Sequence, residues 1–237
     1  MRAGPYPDDT ELSQTEHGAE IYPGILSWAE IKLLRDLCDQ IICAKPGIRL
    51  YQSAAVSEVL SRSGKVSTLV HGFLGTLARP VRAVMFDKSP DTNWALGWHQ
   101  DRTICVRERI DVAGYGPWTV KARSLHVEPP FAIIRQMITL RLHLDDVDHD
   151  NVPLLIAPGS HHIGRIPAPE IDATVIQLGS RPCLAKAGDV WAYSTGILHA
   201  SDKATRPRRR RVLQVDFSAE NLPGGLEWLG ISDLDVA

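Results

Sequence analysis

Residues 137–144 read MITLRLHL, and from Ile138 onward they alternate between apolar and polar side chains. Successive side chains of a β-strand point to opposite faces of a sheet, so this stretch predicts a strand with two unlike faces. Its apolar face belongs against a core. Its polar face carries Thr139, Arg141 and His143 and meets either solvent or a cleft, which makes Thr139 and Arg141 candidate pocket residues.

The rest of the chain shows helical patterns first and short β-rich runs afterwards. Ser27 and Glu30 have the S-x-x-E spacing of a helix-capping box, and apolar residues follow them at helical spacing. Further helical patterns lie within 54–77. We therefore predict a mainly β fold with flanking helices, in which a helical layer over about 27–77 packs on a β-sandwich or open barrel over about 80–218. The other predicted strands are 81–86, 103–106, 154–156, 190–193 and 211–217.

Composition limits the possible classes of protein. The chain has 237 residues, 44% of them hydrophobic, which suits one large domain with a sizeable core. We expect that domain over residues 21–237, after a flexible tail over 1–20. The net charge of −2 gives no overall field that favours nucleic acid or an anionic membrane. The sequence has no apolar run of about 20 residues and no signal-peptide core, which predicts a cytoplasmic protein without a membrane partner.

Three histidines stand two residues before a carboxylate, which is a spacing that suits a metal-binding pair. Residues i and i+2 of a strand point the same way, so an imidazole and a carboxylate at that spacing can share one ion. With a remote histidine they form the facial triad of non-haem Fe(II) sites, which leaves coordination positions open. The three pairs are His99/Asp101, His126/Glu128 and His143/Asp145.

The surroundings favour the first pair without excluding the third. His99 follows a predicted strand and a loop, at the type of edge where ligands meet. His143 lies inside an alternating strand, but His199 downstream suits either pair as the remote ligand. His126 is followed closely by two prolines, which is typical of a loop.

An arginine-rich run over 206–211 follows His199 and enters the last predicted strand. An arginine there suits a dicarboxylate that chelates a metal at one end and pairs with a guanidinium at the other. A nucleic-acid-binding patch is the competing interpretation. The near-neutral charge and the lack of interleaved aromatic residues argue against it.

A series of short motifs extends over about 81–218, which is more than half of the chain. In order, the motifs are FDK at 86–88, NW at 93–94, WHQD at 98–101, GPW at 116–118, LHLDD at 142–146, PL at 153–154, PGSH at 158–161, GD at 188–189, and HAS at 199–201 with the arginine strand. This series resembles the phytanoyl-CoA dioxygenase (PhyH)-like family of Fe(II)/2-oxoglutarate-dependent oxygenases. The resemblance implies a double-stranded β-helix, a cupin-like jelly roll, packed against N-terminal helices.

The resemblance also implies roles for particular residues. His99, Asp101 and His199 match the family's iron ligands, which are its catalytic centre. Arg210 matches the arginine that binds 2-oxoglutarate, and Ser201 matches its hydroxyl partner.

Strand parity supports Arg210, with Arg211 as the alternative. If Arg210 points inward, then Leu213, Val215 and Phe217 point outward onto the helices.

The resemblance suggests further pocket residues and one departure. Trp118 resembles a pocket-wall aromatic residue of the family, and Lys88 and Asn93 are candidate pocket residues. Val152 stands where the family usually has glycine, so the sequence leaves open whether this loop keeps the geometry of the family.

We therefore predict an Fe(II)- and 2-oxoglutarate-dependent dioxygenase that hydroxylates a small organic substrate with O2 and releases succinate and CO2. Fe(II) is the predicted metal and 2-oxoglutarate the predicted co-substrate. Two other classes are possible on the same fold. A cupin-like metal-dependent isomerase or hydrolase needs no arginine opposite the metal. A catalytically silent binding module would have lost at least one ligand.

Overall fold

The structure is a computed structural model that describes residues 11–41, 47–204, 206 and 208–231. Within these residues it contains thirteen β-strands and six α-helices. The strands are β1 (Ala19–Tyr22), β2 (Gly47–Arg49), β3 (Arg79–Lys88), β4 (Leu96–His99), β5 (Ile104–Val106), β6 (Trp118–Lys121), β7 (Ser124–Val127), β8 (Ile138–His143), β9 (Leu154–Ile156), β10 (Arg181–Cys183), β11 (Val190–Ser194), β12 (His199–Ser201) and β13 (Arg210–Ser218). The helices are α1 (Gln14–His17), α2 (Trp28–Gln40), α3 (Ala54–Val59), α4 (Lys65–Leu74), α5 (Phe131–Arg135) and α6 (Ile171–Leu178).

The strands form two principal antiparallel sheets and a smaller one. The first has six strands in the order β1-β11-β8-β13-β3-β2, and the second has four in the order β10-β9-β12-β4. A three-stranded sheet, β5-β7-β6, lies beside them. The two principal sheets make the mainly β jelly roll that the sequence predicted.

A layer of three helices covers the outer face of the six-stranded sheet. α2 begins at the predicted capping box, in which the Ser27 side chain accepts from the Glu30 amide and the Glu30 carboxylate accepts from the Ser27 amide. The helices share one hydrophobic cluster with the apolar face of β8 and with the outward residues of β13. This cluster leaves the opposite, polar face of β8 directed into the roll. From β8 it contains Ile138, Leu140 and Leu142, and from β13 it contains Leu213, Val215 and Phe217.

The predicted flexible tail over 1–20 is wrong for the part that the structure describes. Ser13 caps α1, and Gly18 ends it in a left-handed conformation with φ of 78°. β1 then pairs along its length with β11 as an edge strand of the six-stranded sheet. Backbone hydrogen bonds to β11 define this strand, and a four-residue segment is too short to show a pattern in the sequence. Residues 1–10 lie outside the described residues.

Val152 adopts the backbone conformation that a glycine would favour. Its φ is 46°, in the left-handed region that β-branched residues rarely enter. The loop thereby directs the Val152 carbonyl to the Arg210 guanidinium, which donates to it. The left-handed turn is therefore present even though valine stands where the family usually has glycine.

No helix among the described residues is both long enough and apolar enough to cross a membrane.

Candidate metal centre and its cavity

The three residues that the sequence favoured come together on the four-stranded sheet. His99 ends β4, His199 begins β12, and the two are paired directly in the antiparallel ladder. Asp101 follows two residues after His99. Their ligand atoms all lie within 4.8 Å of one another, and no other such group occurs in the described parts of the chain. The three residues can therefore hold one metal ion.

Both imidazoles are held in the same tautomer. Nδ1 of His99 donates to the Gly97 carbonyl at 2.8 Å, and Nδ1 of His199 donates to the Ile197 carbonyl at 3.0 Å. A carbonyl only accepts, so each Nδ1 carries a proton, and Nε2 is the ring nitrogen left for a metal. Burial and then His99 lower the pKa of His199 to about 4, so this imidazole is neutral at pH 7. Two Nε2 atoms are thus available to a metal.

Gln100, between the two ligands of the pair, fixes the direction of its neighbours. Its amide nitrogen donates to the carbonyls of Gly164 and Gly196, at 2.9 and 2.7 Å. Its amide oxygen accepts from the Ile166 backbone at 2.9 Å. Because Gln100 is held on one side of the backbone, the residues before and after it point to the other side.

Asp101 is held by a buried network that we call the Arg82 brace, made of Arg82, Asp216, Thr139 and Thr195. The Arg82 guanidinium donates to Oδ2 of Asp101 at 2.9 Å and to Oδ2 of Asp216 at 2.5 Å. Oδ1 of Asp216 accepts from the Thr139 hydroxyl at 3.0 Å, and that hydroxyl lies 2.9 Å from Thr195 Oγ1. Among the described residues nothing donates to Oδ1 of Asp101. That oxygen is free to bind a metal.

The brace also determines the charge of Asp101. Burial would raise the pKa of this carboxyl, but the Arg82 guanidinium, followed by His199 and His99, holds it below its ordinary value. Burial does raise the pKa of Asp216, against the effect of Arg82. Asp101 is therefore the anionic member of the triad at neutral pH.

A cavity of about 440 Å³ opens on the three residues. Side chains of both principal sheets line it, so it occupies the interior of the roll. Its lining contains several cationic groups but a single carboxylate, that of Asp101. The cationic groups are Arg49, Arg82, Lys121, Arg141 and Arg210, and the apolar wall includes Val84, Phe86, Trp94, Leu96 and Leu154.

Arg210 lies in this cavity and carries unused hydrogen-bonding capacity. It is 4% exposed, and its Nε has no hydrogen-bond partner. Burial and then the charge of Arg141 lower the pKa of Arg210 to about 9. Ser201, also in the cavity lining, has a buried Oγ without a partner. An anion between them would satisfy both groups.

Lys88 is the strand neighbour of Arg210 and is almost completely buried. Its Nζ donates to the Asp202 carbonyl at 2.5 Å and lies 5.1 Å from the centre of the Trp94 ring. Burial, followed by the Arg210 charge, lowers the pKa of Lys88 to about 8. Two crowded cations therefore stand side by side on β3 and β13, with Arg210 in the cavity lining and Lys88 outside it.

Apart from Arg210, the arginines of the run lie outside the cavity and are paired with carboxylates. Arg211 donates to both oxygens of Asp145, each at 2.9 Å. These four arginines therefore form ion pairs, which makes them a poor binding surface for nucleic acid. The other pairs are Arg206 with Asp150, Arg208 with Asp148, and Arg209 with Asp39 and Asp87.

The two other histidine–carboxylate pairs are not assembled as metal sites. Asp145 is engaged by Arg211 and Arg35, away from His143. Neither ring nitrogen of His143 has a hydrogen-bond partner, and burial holds the pKa of this histidine well below its ordinary value. Glu128 of the remaining pair forms an ion pair with Arg165.

Four of the five candidate pocket residues do not line the cavity: Lys88, described above, and Trp118, Asn93 and Thr139. The Trp118 ring packs in the hydrophobic cluster of the small sheet with the Arg109 guanidinium over it. The Asn93 amide bonds to the backbone nitrogen and oxygen of Ala204 and joins two loops. Thr139 belongs to the Arg82 brace beneath the cavity. Arg141 does line the cavity, as expected.

Two arginines of the cavity were missed from the sequence, Arg82 and Arg49. A signal for Arg82 existed, because Arg82, Val84, Phe86 and Lys88 share one face of β3 and two of them are charged. Arg49 had none, because β2 is too short for a pattern.

A larger and more open depression, of about 610 Å³, lies on the outside of the roll near Asp146 and Asp148. Its carboxylates are already used: Asp146 accepts from the Ala187 amide and Lys186, and Asp148 pairs with Arg208. This depression is not a second candidate for the metal.

A jelly roll with two histidines and one carboxylate beside an internal cavity defines a class of mononuclear non-haem metal enzymes. The model of the phytanoyl-CoA dioxygenase (PhyH) family matches residues 15–212. The chain therefore belongs to this family, and it is an Fe(II)/2-oxoglutarate-dependent enzyme of the oxygenase type. Its cofactor is Fe(II) and its co-substrate is 2-oxoglutarate. A comparison with curated proteins finds no match.

Solved structures of low sequence identity share the fold. HygX from Streptomyces hygroscopicus, with nickel and 2-oxoglutarate bound, is 14% identical with a TM-score of 0.58, over 86% of this chain and 83% of HygX. AviO1 from Streptomyces viridochromogenes Tue57 is 16% identical with a TM-score of 0.61, over 89% of this chain and 94% of AviO1. SnoK, an alpha-ketoglutarate-dependent carbocyclase from nogalamycin biosynthesis, is 16% identical with a TM-score of 0.60, over 86% and 80%.

Proposed function

We propose that the protein is a dioxygenase that uses Fe(II), O2 and 2-oxoglutarate to hydroxylate a small organic substrate, with release of succinate and CO2. The observation that carries the proposal is the pairing of a preorganised two-histidine, one-carboxylate triad with the unpaired Arg210 in one cavity. The cavity of about 440 Å³ suits a small molecule beside the co-substrate.

The residues present fit Fe(II) and 2-oxoglutarate. Nε2 of His99, Nε2 of His199 and Oδ1 of Asp101 would hold the metal, since the other polar atoms of these side chains are already bonded. Arg210 and Ser201 would hold the distal carboxylate of 2-oxoglutarate, because their orphaned Nε and Oγ atoms need an acceptor and a partner. The bound metal supplies the oxidative chemistry, coupled to decarboxylation of 2-oxoglutarate.

The protein's own contribution is to position groups and exclude water. The carbonyls of Gly97 and Ile197 fix the two imidazoles, and the Arg82 brace fixes the carboxylate. The apolar wall around Phe86 and Trp94 limits water beside the triad.

A direct test of this proposal is an anaerobic titration of the Fe(II)-loaded protein with 2-oxoglutarate, read by charge-transfer absorbance. We expect saturable binding of 2-oxoglutarate and, after O2 is admitted with a substrate, stoichiometric succinate. If 2-oxoglutarate does not bind the Fe(II) form, a metal-dependent isomerase or hydrolase becomes the better hypothesis.

Replacing Arg210 with alanine is expected to weaken 2-oxoglutarate binding at least about tenfold. A guanidinium–carboxylate pair in a buried pocket contributes more than about 1.4 kcal/mol. The dissociation constant comes from the same absorbance titration.

Arg211→Ala is the matched control, because Arg211 is bound to Asp145 outside the cavity. It should leave the dissociation constant unchanged. If Arg211→Ala loses affinity for 2-oxoglutarate and Arg210→Ala does not, 2-oxoglutarate binds on the opposite side of β13 from the one proposed.

The affinity for 2-oxoglutarate is expected to fall as the pH rises above about 8. Lys88 has a pKa of about 8 because it is buried and lies beside Arg210, so the free protein loses this positive charge there. Binding of an anion favours the protonated form, and affinity therefore decreases once the proton is lost. Lys88→Met should flatten the profile between pH 7 and 9, whereas Lys186→Met on the surface should not. A profile that Lys88→Met leaves unchanged would rule out this origin.

Asp101 favours oxygen transfer over halide transfer. Halogenases of this superfamily have alanine or glycine at the position of the carboxylate, which leaves room for chloride. With Asp101 present, we expect added chloride or bromide to leave the product unchanged, as measured by mass spectrometry of the reaction mixture. A halogenated product would contradict the assignment of Asp101 as a ligand.

Hydroxylation is the outcome that we propose, although the same fold serves a carbocyclase, SnoK, and an epimerase, SnoN. Family membership argues against a catalytically silent binding module, and so does the intact triad. A cytoplasmic location is a further prediction from the sequence.

A further inference from the structure

Two arginines of the cavity have no assigned role in the proposed function. Arg49 and Arg141 both line the cavity, and neither forms an ion pair with a carboxylate of the described residues. The third cavity arginine without such a pair, Arg210, is assigned to 2-oxoglutarate above. Arg82 is neutralised by its two carboxylates.

Arg49 and Arg141 stand at opposite ends of one row across the six-stranded sheet. Arg141 on β8 pairs with Gln214 on β13, Gln214 with Val84 on β3, and Val84 with Arg49 on β2. At about 4.8 Å between strands, the two Cα atoms are separated by about 14 Å, and the shorter side chains of Gln214 and Val84 form the floor between them. Two long guanidinium side chains therefore flank a shallow trough, which we call the arginine row.

The arginine row lies next to the Arg82 brace, which holds Asp101 of the triad. The neighbouring row on one side contains Thr139, Asp216 and Arg82, each two residues along its strand from the arginine row. These residues belong to the Arg82 brace that holds Asp101. On the other side, two rows away, are Arg210 and Lys88. A molecule in the trough is thus close to the triad, and it would lie beside the chain of 2-oxoglutarate, which would cross the same row between the triad and Arg210.

Arg141 is a buried cation with unused donors. It is 6% exposed, it donates to Gln214 Oε1 at 2.9 Å, and its Nε has no hydrogen-bond partner. Its guanidinium lies over the Phe86 ring, 5.4 Å from the ring centre. Burying a guanidinium without a counter-charge costs free energy in the free protein. An anion that pairs with the guanidinium offsets this cost, so anion binding is favoured.

Arg49 closes the other end of the trough. Its guanidinium donates to the carbonyl of Lys121, at the tip of the β6–β7 hairpin, which keeps it at the cavity. Gly47, on the same face of β2, leaves room for Phe86, because a Cβ there would lie 2.8 Å from the Phe86 ring. The wall between the two cations is therefore aromatic and apolar.

We propose that the primary substrate is a small organic acid, whose anionic group binds at the arginine row and whose apolar body lies against Phe86, Trp94 and Leu96. This substrate class rests on the proposed function, because it treats Arg210 as occupied by 2-oxoglutarate. A planar carboxylate matches the fork of donors on a guanidinium, and the floor offers no acidic group to repel it.

The test compares two probes of the same shape, 3-(4-fluorophenyl)propanoate and 3-(4-fluorophenyl)propanamide. Co(II) replaces Fe(II), so that no turnover occurs, and fluorine NMR line broadening by the metal reports binding near the triad. Each titration is run with saturating 2-oxoglutarate and repeated without it. We expect the acid to bind at least about fivefold more tightly than the amide, as for a partly buried charge pair.

Arg49→Gln and Arg141→Gln should each remove most of this preference while leaving amide binding unchanged. Arg123→Gln is the matched control, because Arg123 is exposed on the same hairpin turn and does not line the cavity. Arg49→Lys should retain part of the preference.

Equal binding of acid and amide, including no binding of either within their solubility, would overturn the proposal. So would a preference that survives in both glutamine variants. If Arg141→Gln weakens 2-oxoglutarate as strongly as Arg210→Ala does, the row serves the co-substrate and the proposal is wrong. Failure of 2-oxoglutarate to bind counts against the proposed function alone, since the acid and amide are also compared in its absence.

Discussion

His99→Ala, Asp101→Ala and His199→Ala should each weaken Fe(II) binding by more than about a hundredfold, which exceeds the usual effect of losing an outer partner of a ligand. Each variant removes one of three donors that converge within 4.8 Å. With one donor missing, the two remaining ligands provide too little binding free energy to replace the water molecules that the metal gives up. Anaerobic titration with Fe(II), or with Co(II) and its visible absorbance, gives the dissociation constants.

The fold should survive these substitutions, because all three side chains face the cavity and lie outside the helical core. Thermal unfolding followed by circular dichroism checks this point. His143→Ala is the matched control: it is a buried histidine on the inner face whose nitrogens contact no ligand group. Loss of metal binding in His143→Ala with retention in His99→Ala would show that the wrong histidine–carboxylate pair was chosen.

Periodicity predicted the elements that have a strong pattern of their own. The alternation over 137–144 corresponds to β8, and the capping box at Ser27 begins α2. Seven strands of three or four residues escaped prediction because their partners, rather than their own few residues, define them: β1, β2, β4, β6, β7, β10 and β12. The polar face of β8 illustrates the limit of a pattern. Alternation shows that two faces differ, but only the second sheet shows that the polar one is buried.

The grouping of His99, Asp101 and His199 could be predicted because the spacing of one pair is local and the motifs around it resemble a known family. The choice of Arg210 over Arg211 followed from strand parity, and the structure agrees on which side chain faces inward. The Arg82 brace could not be predicted, since its four members lie on or beside four different strands and no local pattern joins them. Trp118 shows the opposite error: a motif residue was assigned to the pocket wall, but its ring packs in the small sheet.

The net positive charge in and around the cavity increases along the strands, from the triad toward Arg210. The brace neutralises its own arginine, so the triad end carries little excess charge. The positive charges accumulate instead toward Arg210 and Lys88. Burial lowers the pKa of both groups, and the charge of Arg141 lowers that of Arg210 further, as the charge of Arg210 does for Lys88. This gradient orients an asymmetric anion, because its distal carboxylate gains most where the cations are crowded.

Arg82→Leu should both destabilise the fold and weaken metal binding. It would leave the carboxylates of Asp101 and Asp216 near each other without their shared cation, and removing one partner of a buried ion pair costs about 3–5 kcal/mol. The free energy of unfolding, measured by denaturant titration of the metal-free protein, should fall by that amount. Arg107→Leu, which breaks an exposed pair with Glu227, is the control and should cost less than about 1 kcal/mol.

The double variant Arg82→Leu/Asp216→Leu separates the two roles of the brace. Removing Asp216 together with Arg82 eliminates one of the two uncompensated charges, so the double variant should recover much of the lost stability. It should not recover metal affinity, because nothing then donates to Oδ2 of Asp101 and the carboxylate is free to rotate away from the two imidazoles. We expect metal binding in both variants to be about ten- to a hundredfold weaker than in the unmodified protein. If affinity returns together with stability, Arg82 acts only on the fold, and its hydrogen bond to Asp101 has no part in positioning the ligand.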